Sequence, residues 1–240
     1  MSLNSVSLNS SWLDGEIQTI FVPAGAEYRA VQAGLKKAVG QRSHGPRLVA
    51  IPAGPQAVES FLASWEDLPQ LAGGVLLMGL GGSLSPGYAV GEGVMVEQIW
   101  RGFEGSGADT VVCDKGLTGQ IAKKLGLAVE TGVTCDRIIT TASEKQKLGD
   151  RFSAQVVDME GFALLRSLPE CKVAMLRVMS DGCDYDLPDI SNAINPDGSL
   201  NSMALMRRFA MQPVAAQRLV RGSLKGLRAL KQIARRLVDN

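Results

Sequence analysis

Two carboxylates, Glu160 and Asp181, each close a short apolar run, in Val156-Val157-Asp158-Met159-Glu160-Gly161 and in Leu176-Arg177-Val178-Met179-Ser180-Asp181. Runs of this length predict buried strands, and the carboxyl ends of such strands form the edge of an open α/β sheet where ligands bind. A pair of acids there suits a reaction that must steady developing positive charge and deliver a proton. Glu160 also has a plainer reading, as the opening residue of an exposed helix whose dipole it complements.

The elements that must position these acids alternate along the chain. Ile17 to Val22, Arg47 to Ile51, Gly74 to Leu80, Val94 to Val96, Thr110 to Cys113, Ile138 to Thr141, Gln155 to Asp158 and Val173 to Val178 read as strands. Glu27 to Val39, Gln56 to Trp65, Thr118 to Leu125 and Glu160 to Leu168 read as helices. This alternation predicts an α/β fold with a central mixed, mainly parallel sheet flanked by helices. With no repeat and no dividing linker, residues 16–240 read as one domain behind a flexible, Ser- and Asn-rich lead at residues 1–15. Glycines gather after the strands, in Pro52-Ala53-Gly54-Pro55 and Gly79-Leu80-Gly81-Gly82-Ser83. Such loops let backbone amides approach a ligand, but neither has the spacing of a dinucleotide fingerprint or a P-loop.

Composition narrows the function class. The 240 residues are 45% hydrophobic and carry 25 basic against 24 acidic side chains, so whole-chain charge points to neither nucleic acid nor a membrane. The charge is polarised, however, with a net +8 from Asn201 to Asn240 and −7 over the remainder. Cys113, Cys135, Cys171 and Cys183 are widely spaced and none lies near His44, so neither a metal site nor a redox pair is expected. Cys113 and Cys171 read as small core residues in a reducing cytoplasm. No apolar run reaches the roughly 18 residues that span a bilayer, and the N-terminus lacks a secretory pattern. From Val214 to Leu237, apolar residues at Val220, Leu224, Leu227, Leu230 or Ile233, and Leu237 alternate with Arg and Lys, predicting a cationic amphipathic helix. Its apolar stripe either packs on the domain or docks on an anionic membrane surface, where each basic residue contributes roughly 1 kcal/mol.

In order along the chain, Glu27, Gly54-Pro55, Gly79-Leu80-Gly81-Gly82-Ser83-Leu84-Ser85-Pro86, Gly91-Glu92-Gly93-Val94, Asp158-Met159-Glu160 and Ser180-Asp181 resemble the purine nucleoside phosphorylase and 5′-methylthioadenosine nucleosidase superfamily. Thr141-Ala142-Ser143-Glu144-Lys145, Asp186-Leu187-Pro188, Asn195-Pro196-Asp197-Gly198 and Gln212-Pro213 are similar to its hopanoid-associated phosphorylase branch. That branch implies removal of adenine from adenosylhopane in hopanoid lipid synthesis, without cofactor, by a homo-oligomer. The resemblance gives Asp181 the role of general acid at purine N7, kept protonated by burial. It places Glu160 on the ribose hydroxyls, Met159 beneath the ribose and Glu27 on the attacking water. Gly54, Gly79 and Gly81 become backbone contacts to the substrate.

The departures carry information too. Where many phosphorylases hold phosphate with an Arg, Leu76-Leu77-Met78 stands, and Leu80 replaces a small polar residue common in nucleosidases. Water is therefore favoured over phosphate as nucleophile, with phosphate kept as the alternative. The aromatic that stacks on adenine is missing near Ala142-Ser143-Glu144, leaving Ser143 and the backbone near Thr141 as candidates to hold the base. An enzyme for small purine nucleosides and a catalytically silent relative remain the competing readings.

Overall fold

The computed structural model describes residues 16–39, 46–68, 71, 73–102, 109–188 and 211–239. The 1–15 lead, His44 and the Asn195-Pro196-Asp197-Gly198 motif lie outside the described residues. Among the described residues eight strands form one sheet: β1 (Ile17–Pro23), β2 (Arg47–Ile51), β3 (Gly74–Ser83), β4 (Gly93–Arg101), β5 (Thr110–Val112), β6 (Ala128–Thr134), β7 (Val156–Asp158) and β8 (Lys172–Asp181). Among the described residues six helices accompany them: α1 (Ala26–Val39), α2 (Pro55–Ser64), α3 (Lys115–Leu125), α4 (Ala142–Phe152), α5 (Gly161–Ser167) and α6 (Pro213–Val238).

β1 pairs in parallel with β2 and β3, β3 with β8, β4 with β6, and β6 with β7, whereas β3–β7, β4–β5 and β4–β8 are antiparallel. The sheet is thus mixed and mainly parallel, as expected. It also closes on itself, because β3, β8, β4, β6 and β7 pair in a ring, which strand patterning alone does not reveal.

Side-chain alternation sends each strand into two cores. Ile20, Val22, Leu76, Met78, Ala174, Leu176 and Val178 join residues of α1, α3 and α6. Phe21, Val75, Leu77, Val173, Met175 and Met179 join α2 and α5 on the other side. Burial on both faces explains why these strands are continuous apolar runs. Leu76, Leu77 and Met78 are all fully buried, so the stretch that lacks an Arg is core.

Two expectations are corrected. Ile138 to Thr141 is not a strand: Ile139 is buried in a small third cluster and Thr141 caps α4, its hydroxyl accepting the Glu144 N–H at 3.2 Å. The strand lies earlier, at Ala128–Thr134, where few large apolar residues announce it. The second correction concerns α6, whose buried stripe runs through Ala216, Gly222, Gly226, Leu230, Ile233, Ala234 and Leu237, leaving Val220 and Leu224 exposed. This stripe packs on the domain, chiefly on α1 and β8.

Small residues make that contact close. A Cβ on Gly34 would lie 2.8 Å from Ala234 Cβ, and one on Gly222 would collide with the Ser180 carbonyl. Gly34→Val and Gly222→Val should each lower stability by about 1–3 kcal/mol through overpacking. By contrast, Gly119 lies within α3 with nothing inside 4 Å of its Cβ position. There Gly119→Ala should raise stability by roughly 0.5–1 kcal/mol. Thermal denaturation of the three variants checks both signs.

Candidate active site

The acids converge at the carboxyl ends of the strands, around Arg177. This residue stands mid-way along β8 and is fully buried, in register with Gly79 of β3. Its Nε donates to Asp158 Oδ2 at 3.1 Å, and its Nη2 donates to the same oxygen and to Glu160 Oε2 at 3.2 Å. Nη1 has no hydrogen-bond partner among the described residues. A Cβ on Gly79 would collide with Nη1 and lie 2.7 Å from Glu27 Oε2, so glycine is what lets guanidinium and carboxylate meet over this strand.

Each acid is held by backbone. Glu27 comes from the first turn of α1, after the Gly25 turn (φ +93°), and accepts the Leu80 N–H at 2.6 Å. Glu160 is 5% exposed and accepts the Gly54 N–H at 3.3 Å, which rules out the reading of an exposed helix opener. Gly54 reaches it from φ +92°, ψ 148°, a backbone region essentially restricted to glycine. The start of α5 is capped by Asp158 instead, whose Oδ2 accepts the Glu160 and Gly161 N–H groups at 3.3 and 2.7 Å, while Oδ1 accepts the Thr134 hydroxyl at 2.6 Å.

One guanidinium faces three buried acids, and the protonation of the two glutamates reflects it. Burial raises Glu160 to about 8, with Arg177 pulling down and Asp158 and Glu27 pushing up. Glu27 rises to about 7, again chiefly through burial, opposed by the Leu80 N–H and Arg177.

Asp181 lies at the end of β8, in register with Gly82, where a Cβ would approach its Oδ1 to 3.0 Å. Its Oδ2 accepts the Ser180 hydroxyl at 2.8 Å. Burial is confirmed at 7% exposure, but the acid is not isolated: Lys145 Nζ, fully buried on α4, is ion-paired with Oδ1 and donates to the Gly182 carbonyl at 2.6 Å. The expectation of a carboxyl protonated by burial alone is therefore replaced by an ion pair.

Of the predicted residues, Glu27, Gly54, Gly79 and Glu160 are brought together, with half-buried Met159 between Asp158 and Glu160 and Asp181 farther along β8. Gly81 has a structural reason instead: a Cβ there would lie 2.9 Å from the Val157 carbonyl, across the strand contact with β7. Ser143 is exposed in the first turn of α4, and it is Lys145, two residues on, that reaches the site. Sequence reasoning gave no role to Arg177, Asp158 or Lys145. A charge inside the apolar run Val173 to Met179 was the available signal for Arg177, since such a position must be buried on either face. A cavity of about 390 Å³ lined by Gly74, Asp114 and Lys172 sits at the opposite, amino-terminal end of β3 and β8, away from these acids.

No protein-family model matches the sequence. A 5′-methylthioadenosine nucleosidase from Arabidopsis thaliana superposes with a TM-score of 0.65 at 15% identity, over 93% of this chain and 95% of that one. The 5′-methylthioadenosine/S-adenosyl homocysteine nucleosidase of Helicobacter pylori gives 0.64 at 15% identity, over 93% and 98%. The chain has the fold of the nucleoside phosphorylase and nucleosidase superfamily. Within this superfamily fold, the native futalosine hydrolase of Helicobacter pylori superposes with a TM-score of 0.59 at 17% identity, over 90% and 98%. In sequence, 32% identity to the futalosine hydrolase of Thermus thermophilus extends over 44% of this chain and 56% of that protein, little more than half its length.

A nucleosidase-fold site with raised carboxyls has a stability signature. Glu27 and Glu160 hold protons up to about 7 and about 8, whereas unfolded Glu titrates near roughly 4.3. Between those limits the native state binds more protons, so the stability present at low pH is lost as pH rises through 7 and 8. Calorimetry should show Tm falling from pH 5 to 9, and Glu160→Gln, neutral throughout, should flatten the fall.

Proposed function

We propose that this protein is a hydrolase of the N-ribosidic bond of an adenine nucleoside. The observation that carries the reading is the set of Glu27, Asp158 and Glu160 around one buried guanidinium, on the same strand edge as Asp181. Breaking the bond between C1′ and the base leaves an oxocarbenium-like sugar and a base gaining negative charge. Glu160 binds the ribose hydroxyls, and its carboxylate form strengthens as the sugar becomes cationic. Met159 packs beneath the ribose. Glu27, near neutrality in its titration, takes the proton of the attacking water, the pKa a general base needs at that pH. The unpartnered Arg177 Nη1 beside it is available to hold that water. Asp181 delivers the proton to purine N7.

Water rather than phosphate fits the electrostatics. Arg177 is already paired with Asp158 and Glu160, and β3 adds no cation for a phosphate dianion, only Leu76, Leu77 and Met78, all turned into the cores. The nucleosidases and futalosine hydrolases to which the chain is similar support hydrolysis in the same direction.

The substrate we favour is adenosylhopane, a reading that rests on the sequence motifs around Thr141 to Lys145 and Asp186 to Pro188. It is supported by α6, whose exposed Val220 and Leu224 lie among exposed Arg221, Lys225 and Arg228 on the helix that packs against Ser180. An apolar and cationic surface of that kind suits a nucleoside attached to a lipid at an anionic membrane. No described helix is long and apolar enough to cross one.

Base release should be followed from adenosylhopane or a long-chain 5′-alkyl adenosine and from methylthioadenosine, as adenine, and from inosine, as hypoxanthine, each with and without phosphate. Release from the lipid-like nucleoside at a rate indifferent to phosphate is expected. Release from small nucleosides alone would redirect the assignment to salvage, and no release from any would support a silent relative. On the cleaved substrate, kcat/KM should rise with pH through a limb near 7 set by Glu27, and Glu27→Gln should lose about 10²–10⁴-fold.

A further inference from the structure

The hydrolytic reading leaves one buried charged residue without a task. Lys145 is fully buried, although lysine is almost never so placed unless paired. Its ammonium has two acceptors, Asp181 Oδ1 and the Gly182 carbonyl at 2.6 Å. The Ser180 hydroxyl lies 2.8 Å from Oδ2 and 3.2 Å from the Gly81 carbonyl, and its single hydrogen serves one of them at a time. A carboxylate ion-paired with an ammonium has no proton of its own to give, so the transferable proton nearest the departing base resides on Lys145.

The surroundings fix this lysine in place. Thr141 caps the first turn of α4, Asp186 accepts the Ala142 N–H at 2.8 Å, and the Thr140 carbonyl accepts the Leu187 N–H at 2.7 Å. The segment after β8 is thereby tied to the helix that carries Lys145. The neighbouring charges are Glu144, paired with Arg137, Asp184 and Asp186 in that segment, and Arg218 of α6 over the Tyr185 ring. The Tyr185 hydroxyl accepts the Gly182 N–H at 3.0 Å, adjacent to the carbonyl that Lys145 binds.

We propose that Lys145 is the positioning residue for Asp181 and the proton source behind it, an inference that rests on the hydrolytic reading of the same site. As the C1′–N bond breaks, its electron pair passes to the purine. The proton of Lys145 Nζ passes to Asp181 Oδ1 and from that oxygen on to the purine nitrogen, so Asp181 ends as a carboxylate and Lys145 becomes neutral. Water adds to C1′ and loses its proton to Glu27. One proton is gained at Glu27 and one lost at Lys145, and exchange with solvent restores both. The ion pair thus acts as a single acid whose proton is stored one atom back from the substrate.

The test compares a purine nucleoside the enzyme cleaves with its N7-methylated counterpart, whose base departs without needing a proton. Lys145→Met in the full chain should lose about 100-fold or more in kcat on the unmethylated nucleoside and less than about 10-fold on the methylated one. Lys145→Arg, which keeps the charge, should recover part of the loss. Equal losses on both substrates would assign Lys145 a merely structural role and overturn the proposal. Glu27→Gln, acting on the water, should depress both substrates alike. Independently of turnover, the ammonium of ¹⁵N-labelled Lys145, assigned by its absence from Lys145→Arg, should lose its proton at lower pH in Asp181→Asn than in the unaltered protein. An unchanged titration would overturn the pairing. If the unaltered protein cleaves neither nucleoside, the hydrolytic reading fails, while the titration still decides whether the pair forms.

Discussion

A single guanidinium inside a sheet sets the terms for the rest of the molecule. Arg177 occupies a strand position whose neighbours on the same face, Val173, Met175 and Met179, are all core residues. Burying that charge costs several kcal/mol unless it is paired and hydrogen-bonded. Asp158 supplies most of the compensation, and it does so while capping α5 and accepting the Thr134 hydroxyl. The same carboxylate therefore connects β6, β7, β8 and α5. Glu160 and Glu27 are drawn to what remains of the positive charge, and burial keeps both near the boundary between acid and base. A reactive arrangement follows from the incomplete neutralisation of one buried ion.

Glycine geometry serves that ion rather than a phosphate. In Gly79-Leu80-Gly81-Gly82, the first glycine admits Arg177 and Glu27, the third leaves room for Asp181, and the middle one accommodates β7. The irregularity between Gly81 and Gly82 shifts the register so that Gly82, and not the following Ser83, faces Asp181. Gly54 contributes differently, turning its N–H toward Glu160 from a backbone conformation other residues resist. A motif that reads as a loop for binding a ligand is largely the negative image of Arg177, Glu27 and Asp181.

Much of this was legible in the sequence, and the failures have physical causes. Strands buried on both faces announce themselves as apolar runs, which is why β1, β3 and β8 were read within a few residues. β6 escaped because Ala128, Glu130, Thr131 and Gly132 offer no such run, and Ile138 to Thr141 attracted attention through β-branched residues that in fact lead into a helix cap. The contact face of α6 was misplaced because its closest approach is made by Gly222, Gly226 and Ala234, where periodicity of large side chains is uninformative. Glu27, Glu160 and Asp181 were accessible through their positions after strands. Lys145 was not: it stands between Glu144 and Lys147 in a polar helix, and only tertiary packing distinguishes it from a solvated neighbour.

The close seat of α6 also bears on the order in which the molecule can be completed. Leu230, Ile233, Ala234 and Leu237 belong to the same apolar cluster as Ile20, Leu76 and Leu176, all well before them in the polypeptide. During synthesis, strands β1, β3 and β8 emerge well before the helix that covers them. Until residues 213–238 have left the ribosome, the face of β8 behind Ser180 has no wall, and its apolar side chains are available to other nascent chains. The strand that bears Asp181 is thus among the last to acquire its packing partner, so assembly of the site is a late event in the life of the chain.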